Sequence, residues 1–418
     1  MQALAELAGN PERCAPVIHI AGSKGKGSLA AMTASILEAD GKKAARYMSP
    51  HVSNFRERIC LGNSFFDEDV YCAAGDELRN LAENLVPAAN ISLFDPAYEE
   101  GEALTFFELL TMLFFLCARK KNCDIMVVET GMGGRLDCTN IVEPLFSVIT
   151  LIELEHTGIL GKSIAAIANE KAGIIKQGKP LFLAQQKEEA YNVFKERAAE
   201  KNSPLYYFPE IASVENLRTH KNGTDFSLKL KLPSAATQDL QELSIPIPGI
   251  PQAENAALAA AALKIIFPDL KSDIVKCGLK NVKLPARFEK ITTNTGVIII
   301  DGAHTTESIR LCAETFSGLY GSKGILLFGC AADKNAAAMA ESLLPCFSQI
   351  IITAPGNFKI SDPEKTYRAF ACEKTILISD TSKAIQTALQ LSKEKKEPLL
   401  VTGSFYLADE ARRILSHS

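Results

Sequence analysis

Apolar residues along the chain fall into two alternating textures. Short continuous runs, Val17–Ala21, Ala44–Met48, Ile125–Val128, Leu145–Leu151 and Pro180–Leu183, are separated by longer segments, several with amphipathic spacing. Continuous runs of this length predict buried strands, and the amphipathic spacing predicts helices. The helix after the first strand is the clearest, because Leu29, Met32, Ile36 and Leu37 fall at i, i+3, i+7 and i+8 and Gly41 stands ready to end it. The rhythm is that of a mainly parallel α/β sheet.

Between Ile211 and Ile247 the texture changes to alternation, with Phe226, Leu228, Leu230 and Leu232 on one side and polar residues between them. This predicts an antiparallel appendage. An alanine-rich helix follows over Glu254–Ile266, and Lys283-Leu284-Pro285-Ala286-Arg287 reads as a hinge. A second α/β rhythm then has strands at Val297–Ile300, Ile325–Phe328, Ile350–Ile352, Ile376–Ile378 and Leu399–Val401. The expected organisation is an N-terminal phosphate-loop domain over 1–285 and a smaller Rossmann-like α/β domain over 286–418. Polar or glycine-rich clusters sit just past the strands at Gly22–Ser28, Ser49–His51, Glu129–Gly134, Asp301–His304, Gly329–Lys334 and Gly403–Tyr406. Open parallel sheets bind ligands at those ends, so a cleft between two sheets is expected, with room for a two-substrate reaction.

Composition narrows the partners. The 418 residues exceed what one core usually serves, and 47% apolar content suffices for two. With 45 basic against 49 acidic residues and a formal charge of -4, no global field favours nucleic acid or an anionic membrane. The partner is expected to be small. Eleven cysteines lie without C-x-x-C spacing and read as reduced core residues. Residues 1–14 lack a basic, then apolar, leader pattern, and no run approaches a membrane span, so a cytoplasmic location is expected.

The stretch Gly22-Ser23-Lys24-Gly25-Lys26-Gly27-Ser28, between strand and helix, has the chemistry of a phosphate cradle. Glycines let backbone amides converge on phosphate oxygens, Lys26 brings a mobile charge, and the Ser28 hydroxyl can reach a magnesium ion. Gly27 between lysine and serine departs from the ordinary G-K-[ST] ending. Glu129 emerges at the next sheet edge, before Thr130-Gly131-Met132-Gly133-Gly134, where a Mg-ATP site needs an oxygen ligand; capping of the turn is the alternative. His156, ending the run from Ile149, and Lys171, in a helix over Ile164–Ala172, carry no signal by spacing alone: the defaults are a hydrogen-bonded histidine and a solvated lysine.

Taken together, the motifs resemble the folylpolyglutamate synthase and dihydrofolate synthase ligases, relatives of the Mur ligases. Gly22–Ser28 is similar to that family's G-T-N-G-K-G-[ST] loop, and Ser49-Pro50-His51 with Phe55-Arg56-Glu57-Arg58-Ile59 to its S-P-H-L…F-x-E-R-I loop. The blocks Thr105/Phe107/Glu108, Glu129–Asp137, His156…Gly161…Glu170–Ile174, Arg287–Glu289, Asp301–His304, Asp333-Lys334 and Gly403–Tyr406 follow in order. The resemblance implies that Ser49, Glu129 and His156 bind two Mg2+ ions, while Gly25, Lys26, Gly27, Ser28, Asn255, Arg287 and Asp301 contact ATP. It implies that Lys171 is carbamylated, which removes an ammonium that would repel a metal about 4 Å away by several kcal/mol at an effective dielectric near 20. It implies that Lys26 and Lys171 serve catalysis, and that L-glutamate joins a folate or dihydropteroate carboxylate through an acyl phosphate. His304 and Ser404 are candidates for positioning glutamate, and a monomer is expected.

Departures fall mainly on substrate recognition. Glu155 replaces an aspartate that contacts the pterin in bifunctional members, Pro251 a histidine, Ala286 a glycine, Thr305 the asparagine after His304, and Lys24 the loop asparagine. Met1 nearly adjoins the end of an upstream segment that helps form the family's pteroate site, so either the start is truncated or that pocket is built differently. Two rival readings stay open on sequence: a Mur-type ligase acting on another carboxylate, and a phosphate-loop nucleotide-binding protein without ligase activity.

Overall fold

The computed structural model describes residues 1–85, 104–231, 237–293, 296–356 and 360–416. In chain order the first sheet is built from β1 (Val17–Ala21), β2 (Ala44–Tyr47), β3 (Ile59–Leu61), β4 (Ser64–Phe65), β5 (Ile125–Glu129), β6 (Pro144–Ile149), β7 (Leu181–Leu183) and β8 (Leu205–Tyr207). Their spatial order is β4-β3-β2-β5-β1-β6-β7-β8. All pairings from β2 to β8 are parallel, and the β3–β4 hairpin adds an antiparallel edge. The apolar run of β1 is buried at every position because neighbours and helices cover both faces. The order reverses direction around β1, which puts the end of that strand at a switch point of the sheet.

The alternating segment forms a three-stranded antiparallel sheet of β9 (Ala212–His220), β10 (Gly223–Lys231) and β11 (Thr237–Ile245). Its inward residues Phe226, Leu228 and Leu230 are buried, and Leu232 of the same run lies outside the described residues. The alanine-rich helix, here Ile250–Ile266, packs between this sheet and the helix Lys26–Ala39 that follows the glycine-rich loop. Short side chains on nearly every face let it be buried all round.

The third sheet contains β12 (Glu289–Thr293), β13 (Gly296–Ile300), β14 (Gly324–Phe328), β15 (Phe347–Ile352), β16 (Thr375–Leu377) and β17 (Leu399–Thr402), in the order β12-β13-β17-β14-β15-β16. It is parallel except for β12. The predicted α/β class and the parallel strands are therefore present. β12 and the β3–β4 hairpin escape a reading by apolar runs, since β12 is an edge strand of mixed polar residues and β4 has two residues. One buried cluster runs from Ile18 and Phe146 of the first sheet to Leu326 and Ile350 of the third, so the sheets share core.

Three expectations change in the structure. His156 does not end a strand: β6 stops at Ile149, and His156 sits in a left-handed turn (φ 47°) before the short helix Thr157–Leu160. The cysteines are unpaired, but Cys14, Cys72, Cys277 and Cys372 are exposed rather than core. Lys171 is 1% exposed, which overturns a solvated lysine. Among the described residues no helix is long and apolar enough to cross a membrane.

Candidate active site between the two parallel sheets

The glycine-rich loop is shaped by close approaches. Gly22 has φ 147°, and a Cβ there would lie 1.8 Å from the Thr150 hydroxyl oxygen. The Ser23 and Lys24 amides both donate to the Leu151 carbonyl, at 2.9 and 3.2 Å, and the Ser23 hydroxyl donates to the Glu153 carbonyl. Gly25 (φ 86°) precedes the helix and lies against Asn255, whose amide oxygen would be 2.5 Å from an added Cβ. Lys26 lies across its own loop, Nζ donating to the Gly22 carbonyl at 2.8 Å. Ser28 is buried in the first helical turn. The inserted Gly27 now has a physical reason: a Cβ would stand 3.3 Å from Glu129 Oε2, so its absence lets a carboxylate press against the helix start.

Register explains why Glu129 arrives there, since Ile20 of β1 pairs with Glu129 at the end of β5. Its Oε2 accepts from the Ser49 amide at 3.0 Å. Burial raises its carboxyl, opposed by Lys26, the Ser49 hydrogen bond and Arg287. Lys171 Nζ donates to the Gly22 carbonyl and to Glu155 Oε1, both at 2.8 Å. Burial, reinforced by the charge of Lys26, pushes its amine down to about 8. Burial also lowers the His156 imidazole; Glu155 opposes this, and Lys171, Lys26 and Lys334 add to it. The structure thus joins Ser49 to Glu129 and Glu155 to Lys171, while His156 is related to them only by the charges it feels. Among the described residues, no three His, Cys, Asp or Glu side chains are gathered in a ready-made metal cluster.

Sequence reasoning missed a supporting chain behind this edge. The Met132 amide donates to Asp137 Oδ2 at 2.9 Å, and the Thr139 amide and hydroxyl donate to Oδ1 at 3.0 and 2.5 Å. His19, fully buried in β1, places Nε2 2.9 Å from the Thr139 hydroxyl. Because that hydroxyl spends its proton on Asp137, His19 Nε2 is the donor. Burial holds this ring neutral, down to about 3. A histidine inside an apolar strand was the available signal.

The second parallel sheet contributes a tight turn. Ala286 (φ 52°) and Phe288 (φ 47°) are left-handed on either side of Arg287. Glycine suits such a position, and alanine adopts it at a cost of about 1 kcal/mol. The turn is held by Ala286 N–H to Glu289 Oε2 (2.9 Å), Gly302 N–H to the Ala286 carbonyl (2.8 Å) and Phe288 N–H to Asp301 Oδ2 (2.7 Å). The Arg287 guanidinium lies over the Phe405 ring at 4.7 Å. Burial raises the Asp301 carboxyl, while Arg287 and two backbone amides pull it back. His304 Nδ1 is 2.9 Å from the Gly302 carbonyl, and burial holds the imidazole down to about 4. The Ser404 hydroxyl accepts from the Tyr406 amide at the start of the last helix, which gives it a capping role. Lys24 of the glycine-rich loop donates to Thr305 Oγ1 at 3.1 Å, joining the two sheets' edges directly. Two positions that depart from the family pattern therefore touch each other.

Comparison with known proteins extends the likeness beyond the site. Residues 87–263 match the Mur ligase middle domain, and residues 286–405 match the Mur ligase glutamate ligase domain. The folylpolyglutamate synthase of Lacticaseibacillus casei is 31% identical, over 97% of this chain and 91% of the relative. The dihydrofolate synthase/folylpolyglutamate synthase of Bacillus subtilis is 29% identical, over 99% and 94%. The ADP complex of Mycobacterium tuberculosis folylpolyglutamate synthase superposes with a TM-score of 0.88 at 27% identity, covering 100% of this chain and 94% of that one. A phosphate loop transplanted into an unrelated protein would not bring both lobes with it, and the chain belongs to the folylpolyglutamate and dihydrofolate synthase family of ATP-dependent Mur-type ligases.

Proposed function

We propose that the protein joins L-glutamate to the carboxylate of a folate or dihydropteroate, with ATP supplying the activation. The observation that carries this reading is the direct hydrogen bond from the phosphate loop to the second sheet, Lys24 to Thr305, which makes one cleft of two ligand-binding edges. A carboxylate resists attack by an amine, because its carbonyl is already anionic. Transfer of the γ-phosphoryl group of ATP to one carboxylate oxygen forms an acyl phosphate and releases ADP. The amine nitrogen of glutamate then bonds to the acyl carbon, phosphate leaves with the C–O bond electrons, and the amine gives up a proton. Lys26 exchanges the Gly22 carbonyl for phosphate oxygens, and the loop amides of Gly25, Gly27 and Ser28, with Asn255, Arg287 and Asp301, hold the rest of ATP. Closure of a lobe over 286–418 onto one over 1–285 keeps water from the acyl phosphate.

Mg2+ suits the residues at the loop. Glu129 Oε1 accepts no hydrogen bond among the described residues, Ser49 offers a hydroxyl, and His156 is held neutral and able to ligate. The ions would neutralise phosphate charge during transfer. Lys171 fits carbamylation for a separate reason. An amine titrating near 8 is neutral in about one molecule in ten at pH 7, and a neutral amine is what adds to CO2. The resulting carbamate beside Glu155 sets two anions together, a donor pair for a cation. His304 and Ser404 position glutamate, with the Ser404 O–H donating to no partner among the described residues while its oxygen caps the helix. In this reading Glu155 contacts the acceptor. A monomer in the reducing cytoplasm accords with eleven unpaired cysteines.

The test is ADP and phosphate release with dihydropteroate or tetrahydrofolate, each with and without glutamate. Turnover that needs both partners is expected. Indifference to every folate and pteroate would remove the proposed substrates, while amino-acid dependence with another carboxylate would return a different Mur-type ligase.

A further inference from the structure

We propose that Lys24 and Thr305 form a bridge that receives a carboxylate of the incoming amino acid; the inference rests on the glutamate-ligase reading above. Four cationic side chains around the cleft already have an occupation. Lys171 is paired with Glu155, Lys334 with Asp333 at 3.0 Å, Arg287 lies on the Phe405 ring, and Lys26 folds back onto its own phosphate loop. Lys24 is different. Among the described residues its ammonium has no carboxylate within ion-pairing distance, and its one hydrogen bond goes to a neutral hydroxyl on the opposite lobe.

That hydroxyl is overcommitted. Thr305 Oγ1 also takes the Ser308 amide at 3.3 Å as the cap of the helix Thr306–Tyr320, and it exchanges a hydrogen bond with the Ser308 hydroxyl at 2.9 Å. A shared neutral acceptor holds an ammonium less strongly than a carboxylate does. Two N–H bonds of Lys24 remain to be satisfied. Lys24 is enclosed between lobes: burial lowers its amine, Glu153 and Glu155 oppose that through space, Lys26 and Arg287 add to it, and His304 and Glu307 of the second lobe both feel its charge. Lys26 folds onto its own loop, whereas Lys24 is tied to Thr305, the neighbour in sequence of His304, which is proposed above to position glutamate.

Steady-state kinetics of the full chain with saturating ATP and folate substrate test this. Lys24→Met keeps the stem and removes the charge, and is expected to raise the KM for glutamate by about tenfold or more while the KM for ATP stays within about twofold. Lys24→Arg should restore most of the glutamate affinity. Thr305→Val, which loosens the bridge, should raise the glutamate KM by about threefold. An unchanged glutamate KM in Lys24→Met overturns the proposal, as does a KM for ATP that rises in step with it, which would make Lys24 a phosphate ligand. If the unaltered protein shows no glutamate-dependent ADP release, the ligase reading itself fails.

Discussion

Replacing Lys171 with methionine should abolish turnover and at the same time stabilise the nucleotide-free protein near neutral pH. The reason is the burial of an ammonium whose amine falls from 10.5 in water to about 8 in the fold. At pH 7 the lysine is charged in both folded and unfolded chains, so the whole cost of that depression, about 3 kcal/mol, weighs against folding. Methionine removes the cost and loses hydrogen bonds to Gly22 and Glu155, each worth about 1 kcal/mol net. Glu155 is partly exposed and can rehydrate, leaving a gain of about 1 kcal/mol. As pH rises from about 8 towards 10.5, the unfolded chain keeps a proton that the native protein has released, so the unaltered protein gains stability and the variant does not. The difference should shift by about 2 kcal/mol in favour of the unaltered protein between pH 7 and pH 9.5, enough to reverse its sign. Urea unfolding of both proteins at the two pH values, in CO2-free buffer without nucleotide, reads the difference directly. A stability gap that is independent of pH, or that widens in favour of the variant as pH rises, refutes the assignment of Lys171 as a buried and strained cation.

Gly22→Ala would put a Cβ 1.8 Å from the Thr150 oxygen at φ 147°, and should destabilise the fold by more than about 2 kcal/mol; an unaltered melting temperature would contradict the geometry. Gly27→Ala meets Glu129 Oε2 at 3.3 Å, close enough to displace the carboxylate by a few tenths of an ångström without breaking the core. Its expected signature is a higher magnesium requirement at a near-normal melting temperature. His304→Ala should weaken glutamate-dependent turnover more than ATP binding, and equal glutamate kinetics would take His304 out of the site. Because burial holds the His304 imidazole down to about 4, the ring is neutral from pH 6 to 9, and His304→Gln should leave the shape of the pH–rate profile in that range unchanged. Loss of an acid limb near pH 6.5 would count against that environment.

Much of this arrangement is legible in the amino-acid sequence. The strand, glycine turn and helix around Gly22–Ser28 appear where apolar runs and amphipathic spacing put them, because each depends on neighbours a few residues away. Glu129 was legible for the same reason, as the last residue of an apolar run followed by glycines. Edge elements were not. β12 buries only part of each side chain and so leaves no apolar run to read. His19 stands out in sequence only as a histidine inside an apolar strand, and nothing local shows that its ring supports Thr139 from 120 residues away.

By itself, then, the amino-acid order determined the phosphate cradle, the parallel sheets and the family, since these rest on local pattern and collinear motifs. Tertiary structure alone decided that Gly27 makes room for Glu129, that Lys171 is a buried amine titrating near 8, and that Lys24 meets Thr305 across 281 residues of chain. The physical reason is that desolvation, Coulomb interaction and steric exclusion depend on distance through space, which register and packing set and sequence separation does not.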